Sequence, residues 1–255
     1  SIQKPICEVS TLQWKYLCAK IVRMALAGRE RRAVTEHEGI RRFPGVKIQA
    51  ENERRNIMAL FQAFRAVRPA PEKAAQVAAL PYDVVSREEA REIGEKNPES
   101  FLHVDRAEMD LDPAADLYDP KVYEKAKENL DRFQDEGILI QDKKPNYYLY
   151  ELIRKGKSQT GIVGVSSIDD YISGVIKKHE LTREEKEQDR IHHVDVCDAN
   201  TGPIFLACRY PEELLALMEN WKTEHAPVYD FTSEDEIPHR VWIVDEETKI
   251  RKIRE

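Results

Sequence analysis

KKHELTREEKEQDR, at residues 177–190, is the stretch around which the rest of the chain is organised. It crowds side chains of both charges beside a predicted helix start. Thr182 and Glu185 have the spacing of a capping box, in which the hydroxyl accepts from the N–H of Glu185 and the carboxylate accepts from the N–H of Thr182. A helix is therefore predicted to start here and to run to about Arg190.

This helix start is predicted to handle an anion. Lys177, Lys178 and His179 lie just upstream and Arg183 lies in the first turn, where unpaired N–H groups and the positive end of the helix dipole favour a phosphate or carboxylate. Glu180 lies among these cations, so its carboxylate is expected to stay ionised and to act as a base or to hold a metal ion. These residues alone do not specify the reaction.

Two other interpretations of the region stay open. Charged residues around a helix N-terminus usually form a solvated face, in which each ion pair contributes ~0–1 kcal/mol. His192, His193 and Asp195 suggest a metal site. However, adjacent residues on a strand point to opposite faces, so one metal ion would rarely bind both imidazoles.

The composition indicates a globular, soluble protein. The chain has 255 residues, of which 41% are hydrophobic and 34% are charged, enough for one sizeable core or two small ones. No apolar run is long enough for a transmembrane helix, and the first residues lack the features of a secretory signal. The four cysteines have no zinc-binding or CxxC spacing, which is typical of free thiols in a reducing cytoplasm.

Charge divides the chain into two parts. Residues 1–57 carry 12 Lys or Arg and 6 Glu, a formal charge of +6, whereas residues 58–255 carry 28 basic and 41 acidic residues, a formal charge of −13. The basic part shows no sustained apolar period, so it is predicted to be a poorly ordered extension, with Met58 as the natural start of translation. The charge of −13 argues against nucleic acid as a partner of the second part.

Local signals after Met58 predict alternating helices and short strands. Ser86 and Glu89 form a second capping box, for a helix through Lys96, and Asp119 caps a longer helix that ends before Gly137. On that longer helix, Tyr123, Ala126, Leu130 and Phe133 recur at helical spacing and are assigned to the core. Strands are predicted near 100–104, 138–140, 147–153, 160–165, 204–208, 228–231 and 240–244, with a last short strand after 245–248. Lys155, Gly156 and Lys157 are predicted to form a hairpin turn into the strand at 160–165. No regular βαβ rhythm appears, so the predicted fold class is α+β (mixed α/β), an irregular mixed sheet with flanking helices.

Several separated motifs resemble a bacterial and archaeal family of unknown function whose members are often labelled ParB-like. The motifs are LPYDVVS (80–86), NPESFLHV (97–104), QTGIV (159–163), KHELTR (178–183) and DR (189–190). The resemblance runs from about Met58 to Glu255, which identifies residues 58–255 as the N-terminal part of the family's domain and leaves residues 1–57 without a counterpart.

The resemblance implies an enzyme. Members of this family carry, beyond the point where this chain stops, an Asp-Gly-His-His-Arg type motif similar to one in ParB-like nucleotide hydrolases and in a free-serine kinase. It therefore implies a nucleotide-dependent phosphotransferase that uses ATP or ADP with Mg²⁺ on a small-molecule substrate, of which this chain is an incomplete portion. The alternative is a non-enzymatic protein, for DNA partition or for metabolite binding.

The same resemblance assigns roles to the matching residues. Lys178 and Arg183 would contact phosphate oxygens, and Glu180 would orient Mg²⁺ or take a proton from the acceptor hydroxyl. His179 is implied as an acid. Asp83 would line the same pocket, and Arg190 completes the nucleotide-binding set.

Overall fold

The computed structural model describes residues 59–177, 183–208 and 211–255. The strands are β1 (Phe61–Gln62), β2 (Val67–Pro69), β3 (Leu139–Gln141), β4 (Tyr147–Arg154), β5 (Lys157–Val163), β6 (Val165–Ser166), β7 (Tyr229–Thr232) and β8 (Pro238–Val244). The α-helices are α1 (Ala74–Val77), α2 (Arg87–Lys96), α3 (Leu102–Asp105), α4 (Pro120–Asp135), α5 (Ile168–Ile172), α6 (Glu184–Cys197), α7 (Glu212–Glu224) and α8 (Glu247–Arg254), with short 3₁₀ helices at Pro71–Lys73 and Ala107–Asp110.

Strand β4 is the centre of an antiparallel sheet with the order β5-β4-β8-β7. Lys155 and Gly156, both with positive φ, form the turn that joins β4 to β5. Such a two-residue turn matches the twist of paired strands, and it confirms the hairpin predicted at this position. Two smaller antiparallel pairs, β1 with β6 and β2 with β3, extend the β structure.

Successive side chains of β4 point to opposite faces of the sheet. Both sets pack against other parts of the fold, so both faces of β4 are buried. Tyr148 and Tyr150 pack on one face with residues of β7 and β8. Tyr147 and Leu149 pack on the other, where α7 and α8 contribute further apolar residues. Trp221 of α7 also donates its indole N–H to the carbonyl of Ile243 at 3.1 Å. Helix α7 is therefore fixed to the sheet by packing and by a hydrogen bond.

Helix α4 is the centre of the helical layer. The carboxylate of Asp119 accepts from the N–H of Lys121 at 2.9 Å, and Gly137 adopts a φ of 70° just after the helix, so both predicted ends are confirmed. Four buried positions on α4 form its apolar stripe: Val122, Ala126, Leu130 and Phe133. Helices α3 and α6 pack against α4. This packing sets the position of α6 relative to the rest of the fold.

The second capping box is also confirmed. Ser86 Oγ accepts from the N–H of Glu89 at 3.2 Å, and the Glu89 carboxylate accepts from the N–H of Ser86 at 2.8 Å. Helix α2 ends at Lys96 as predicted. The loop at residues 80–86 consequently leads into a well-defined helix start.

Three strand predictions are wrong. The run predicted as a strand at 100–104 is a buried helical turn that includes α3, since short apolar runs do not distinguish a buried strand from a buried helix. The chain after Asp245 forms α8 instead of a last strand. Residues 204–208 are apolar but pair with no strand among the described residues; strand propensity alone does not form a strand without a neighbouring one.

The architecture is a mixed α+β fold, as the sequence predicted. Across the described ranges, no helix combines the length and the apolar character needed to cross a membrane. The predicted extension at residues 1–57 lies outside the described residues.

Candidate functional site

The predicted site residues divide between described and undescribed parts of the chain. Lys178, His179 and Glu180 lie outside the described residues. Arg183 is the N-cap of α6, one residue later than the predicted cap Thr182, and its side chain is exposed. Helix α6 continues to Cys197, beyond the predicted end. Arg190 follows Arg183 by about two turns, so the two residues lie on the same side of α6, about 10 Å apart along its axis.

Arg190 contacts the loop that contains Asp83. The guanidinium carbon of Arg190 lies 4.4 Å from the ring centroid of Tyr82, a distance typical of a cation–π contact. Asp83, the next residue, is exposed. The structure therefore brings the loop at 80–86 into contact with Arg190, which lies in the described part (183–190) of the charged stretch.

Asp189 also binds the Arg190 side chain. Its Oδ2 atom accepts from Nε of Arg190 at 3.0 Å, and one terminal nitrogen of the same guanidinium lies 2.9 Å from that oxygen as an ion pair. Its Oδ1 atom accepts from the hydroxyl of Tyr123 on α4 at 3.1 Å. Burial and the Asp189 charge raise the pKa of Tyr123 to about 12. Tyr123 therefore stays a neutral hydrogen-bond donor at neutral pH.

A second arginine fixes the same loop from within the fold. A terminal nitrogen of Arg106 donates to the carbonyls of Tyr82 and Val85, at 2.7 and 2.5 Å. The Nε atom of Arg106 donates to the Glu108 carboxylate at 2.6 Å. Arg106 thus binds the backbone of the loop, and Arg190 contacts its Tyr82 side chain.

The start of α6 is less cationic than the sequence suggested. Glu184, Glu185 and Glu187 lie in its first turn, where carboxylates offset the positive end of the helix dipole. The Tyr118 hydroxyl donates to Glu185 at 2.6 Å, and Lys186 contacts the same hydroxyl at 3.3 Å. The hydrogen bond to Glu185 raises the pKa of Tyr118. The described start of α6 therefore attracts an anion less strongly than the preceding cations suggested.

His192 and His193 point in different directions from α6. His193 is buried and donates from Nε2 to the carbonyl of Val104 at 3.0 Å, and burial lowers its pKa. His192 is exposed and meets the edge of the Tyr123 ring at 5.7 Å. No group of three His, Cys, Asp or Glu side chains within the described ranges could hold a metal ion. The metal role predicted for Glu180 falls on an undescribed residue.

An open cleft of about 180 Å³ is lined by the loop at 80–86 and by α2. Apolar side chains of the loop and of α2 form most of its wall, with charged residues at the rim: Leu80, Val84, Val85, Ile93, Glu89, Glu92 and Lys96. Two carboxylates and one ammonium group give it little attraction for phosphate. The cleft is better suited to an apolar group than to an anion.

Tyr82, Tyr123, Asp189 and Arg190 contact one another in a chain and are called the Arg190 cluster below. Three of these residues were absent from the predicted site. Tyr123 was assigned to the core, and it is buried as predicted, but its hydroxyl also binds Asp189. Tyr82 and Asp189 were quoted only as parts of motifs. Their position directly beside the predicted site residues Asp83 and Arg190 was the available signal. The contact between Arg190 and Tyr82 depends on the packing of α6 on α4.

Comparisons with known proteins identify one family. A family model described as "Protein of unknown function (DUF1015)" matches residues 61–255. No curated protein and no solved structure matches the chain. The matched range includes the loop at 80–86, α4 and α6, so the complete Arg190 cluster lies within it.

Proposed function

The chain belongs to the DUF1015 family of proteins of unknown function, and from this premise we propose that it is a nucleotide-dependent phosphotransferase. The reaction moves a phosphoryl group from ATP or ADP, with Mg²⁺, to the hydroxyl of a small metabolite. One observation carries the proposal: the Arg190 guanidinium is stacked on Tyr82 and paired with Asp189, where α6 meets the loop at 80–86.

A fixed guanidinium suits this chemistry. Phosphoryl transfer depends mainly on positioning and on stabilising charge at the phosphate oxygens. Arginine binds phosphate through directional N–H donors, and its planar group stacks on aromatic rings. Nε and one terminal nitrogen of Arg190 bind Asp189, while the other terminal nitrogen has no acceptor among the described residues. That nitrogen can donate to a phosphate oxygen.

The other residues of the motifs keep the roles that the sequence resemblance implied. Lys178 and Arg183 contact phosphate oxygens, and Glu180 orients Mg²⁺ or takes the proton from the acceptor hydroxyl. His179 serves as an acid, and Asp83, exposed beside Tyr82, lines the pocket. The resemblance of the sequence motifs to a family whose members carry a motif similar to that of ParB-like nucleotide hydrolases and a free-serine kinase supports this reaction class and makes serine the first acceptor to test. A cytoplasmic location, where these nucleotides are abundant, is part of the proposal.

The test measures Mg²⁺-dependent consumption of ATP and ADP by the complete gene product, with serine and other small hydroxyl compounds as acceptors. Lys178→Ala and Arg190→Ala are each expected to lower kcat/KM at least tenfold, about 1.4 kcal/mol of transition-state stabilisation. Lys143→Ala and Arg251→Ala, at exposed positions elsewhere, are matched controls that should keep the wild-type rate.

Two results would count against the phosphotransferase. Absence of turnover with every nucleotide and acceptor would refute it. Nucleotide or metabolite binding without turnover would favour the non-enzymatic alternative, and salt-sensitive binding of duplex DNA would favour a partition protein.

A further inference from the structure

Asp189 and Arg190 are neighbours on a helix, where their pairing is unusual. Consecutive residues on an α-helix point about 100° apart, and side chains at i and i+1 do not normally face each other. The pair nevertheless joins Arg190 Nε and a terminal nitrogen to the same carboxylate oxygen, at 3.0 and 2.9 Å. The Arg190 side chain must therefore bend back along α6 instead of extending into solvent.

The bend places the guanidinium on Tyr82. Two different groups contact the guanidinium: Asp189 binds its Nε side, and its carbon lies over the Tyr82 ring, 4.4 Å from the ring centroid. Tyr82 itself is fixed, because Arg106 donates to its carbonyl at 2.7 Å. Arg190 is thus held by two groups that are each anchored independently.

Stability alone does not account for the Asp189 carboxylate. Asp189 is buried, with 9% of its surface exposed, and a carboxylate is costly to remove from water. Replacing a buried ion pair with apolar residues is often neutral or stabilising, so such pairs are weak evidence for stability. A role in orienting the Arg190 guanidinium explains why a carboxylate occupies this buried position.

We infer that Asp189 is a positioning residue: through its pair with Arg190 it holds the guanidinium on Tyr82, with one terminal nitrogen directed to a phosphate group of the nucleotide. The inference rests on the proposed function, which supplies the phosphate ligand. Tyr123 has a lesser part, since its hydroxyl binds the other carboxylate oxygen and makes no contact with Arg190 in the described structure.

The first experiment measures the geometry without a ligand. In the ¹H–¹⁵N NMR spectrum of the wild-type chain, the Arg190 side-chain Nε–H signal should carry a downfield contribution from its hydrogen bond to Asp189 and an upfield contribution from the Tyr82 ring. Asp189→Asn should therefore move the signal upfield, and Tyr82→Leu should move it downfield. Asp189→Asn keeps an oxygen that accepts from Tyr123, so the fold should be retained. An unchanged Arg190 signal in both variants would overturn the inference.

The second experiment measures binding by calorimetry, with ATP and with inorganic pyrophosphate as the probes. Asp189→Asn and Tyr82→Leu should weaken Kd about tenfold and raise KM for the nucleotide more than they lower kcat. Lys143→Ala, at an exposed position away from this site, is the control and should leave Kd within twofold. A purely structural role predicts instead a loss of Tm, with unchanged Kd in the folded protein.

The failures are distinguishable. Wild-type binding and turnover that Asp189→Asn leaves unchanged would overturn the positioning role and leave the phosphotransferase standing. Absence of both binding and turnover in the wild type would overturn the proposed function, and with it the phosphate that the positioned nitrogen requires.

Discussion

His239 provides a prediction for the dependence of stability on pH. It is fully buried at the start of β8. Its Nδ1 atom lies 2.9 Å from the Tyr150 hydroxyl and its Nε2 atom lies 2.9 Å from Ser233 Oγ. The ring of Phe231 is stacked at 5.1 Å. Because burial disfavours the imidazolium ion, the pKa of His239 is lowered from 6.5 to about 4.

The sign follows from proton binding. Between pH 6.5 and about pH 4, the unfolded chain binds a proton at this histidine and the folded chain does not, so the free energy of unfolding falls as the pH is lowered. The contribution is fully present above pH 6.5 and is lost as the pH falls toward 4. The two pKa values differ by about 2.5, which corresponds to a loss of about 3 kcal/mol.

The assay is urea unfolding of the wild type and of His239→Gln at pH 7 and pH 4.5. Glutamine keeps a donor and an acceptor but does not titrate, so the fall in unfolding free energy between the two pH values should be smaller in the variant by about 2 kcal/mol. His192→Gln, at an exposed position on α6, is the control and should retain the wild-type fall. Equal falls in the wild type and His239→Gln would refute the reasoning.

Two further substitutions test the packing of the sheet. At Gly164, an added Cβ would lie 2.6 Å from the Phe61 ring and 2.9 Å from the carbonyl oxygen of Gln62, so Gly164→Ala should lower the free energy of unfolding by about 1–3 kcal/mol in urea. Gly202→Ala, where no described residue other than the chain neighbours comes within 4 Å of an added Cβ, is its control, and equal losses in both would contradict the clash. Asp142 pairs with the buried Arg68 at 2.9 Å; Asp142→Asn leaves that guanidinium without a counter-charge and should cost about 3–5 kcal/mol by the same assay, whereas a loss below about 1 kcal/mol would argue against the pair.

Elements whose signals are local were predictable from the sequence. The capping box of α2, the Asp119 cap of α4 and the Lys155–Gly156 turn each depend on hydrogen bonds or dihedral angles within a few residues. The buried stripe on α4 follows from helical spacing in the same way. These features do not need the rest of the chain, so the residues that encode them are adjacent in the sequence.

Elements that depend on distant partners were not predictable in this way. Residues 204–208 have strand-forming side chains, but a strand exists only where another strand supplies hydrogen bonds. At 100–104, an apolar run of the same length became the buried α3 because it packs against α4. Periodicity does not decide such short runs, since both conformations bury their side chains.

For the candidate site as well, the sequence did not show which cation is held in place. The sequence placed the anion at the start of α6 because cations precede it, yet the first turn of α6 also carries Glu184, Glu185 and Glu187. A helix terminus surrounded by carboxylates attracts an anion weakly. Arg190 differs because its pair with Asp189 and its stacking on Tyr82 fix the guanidinium, and a positioned donor loses less entropy on binding phosphate than a free lysine or arginine does. For the described part of this site, the constraint on the cation therefore matters more than the number of cations nearby, and only the tertiary structure contains that constraint.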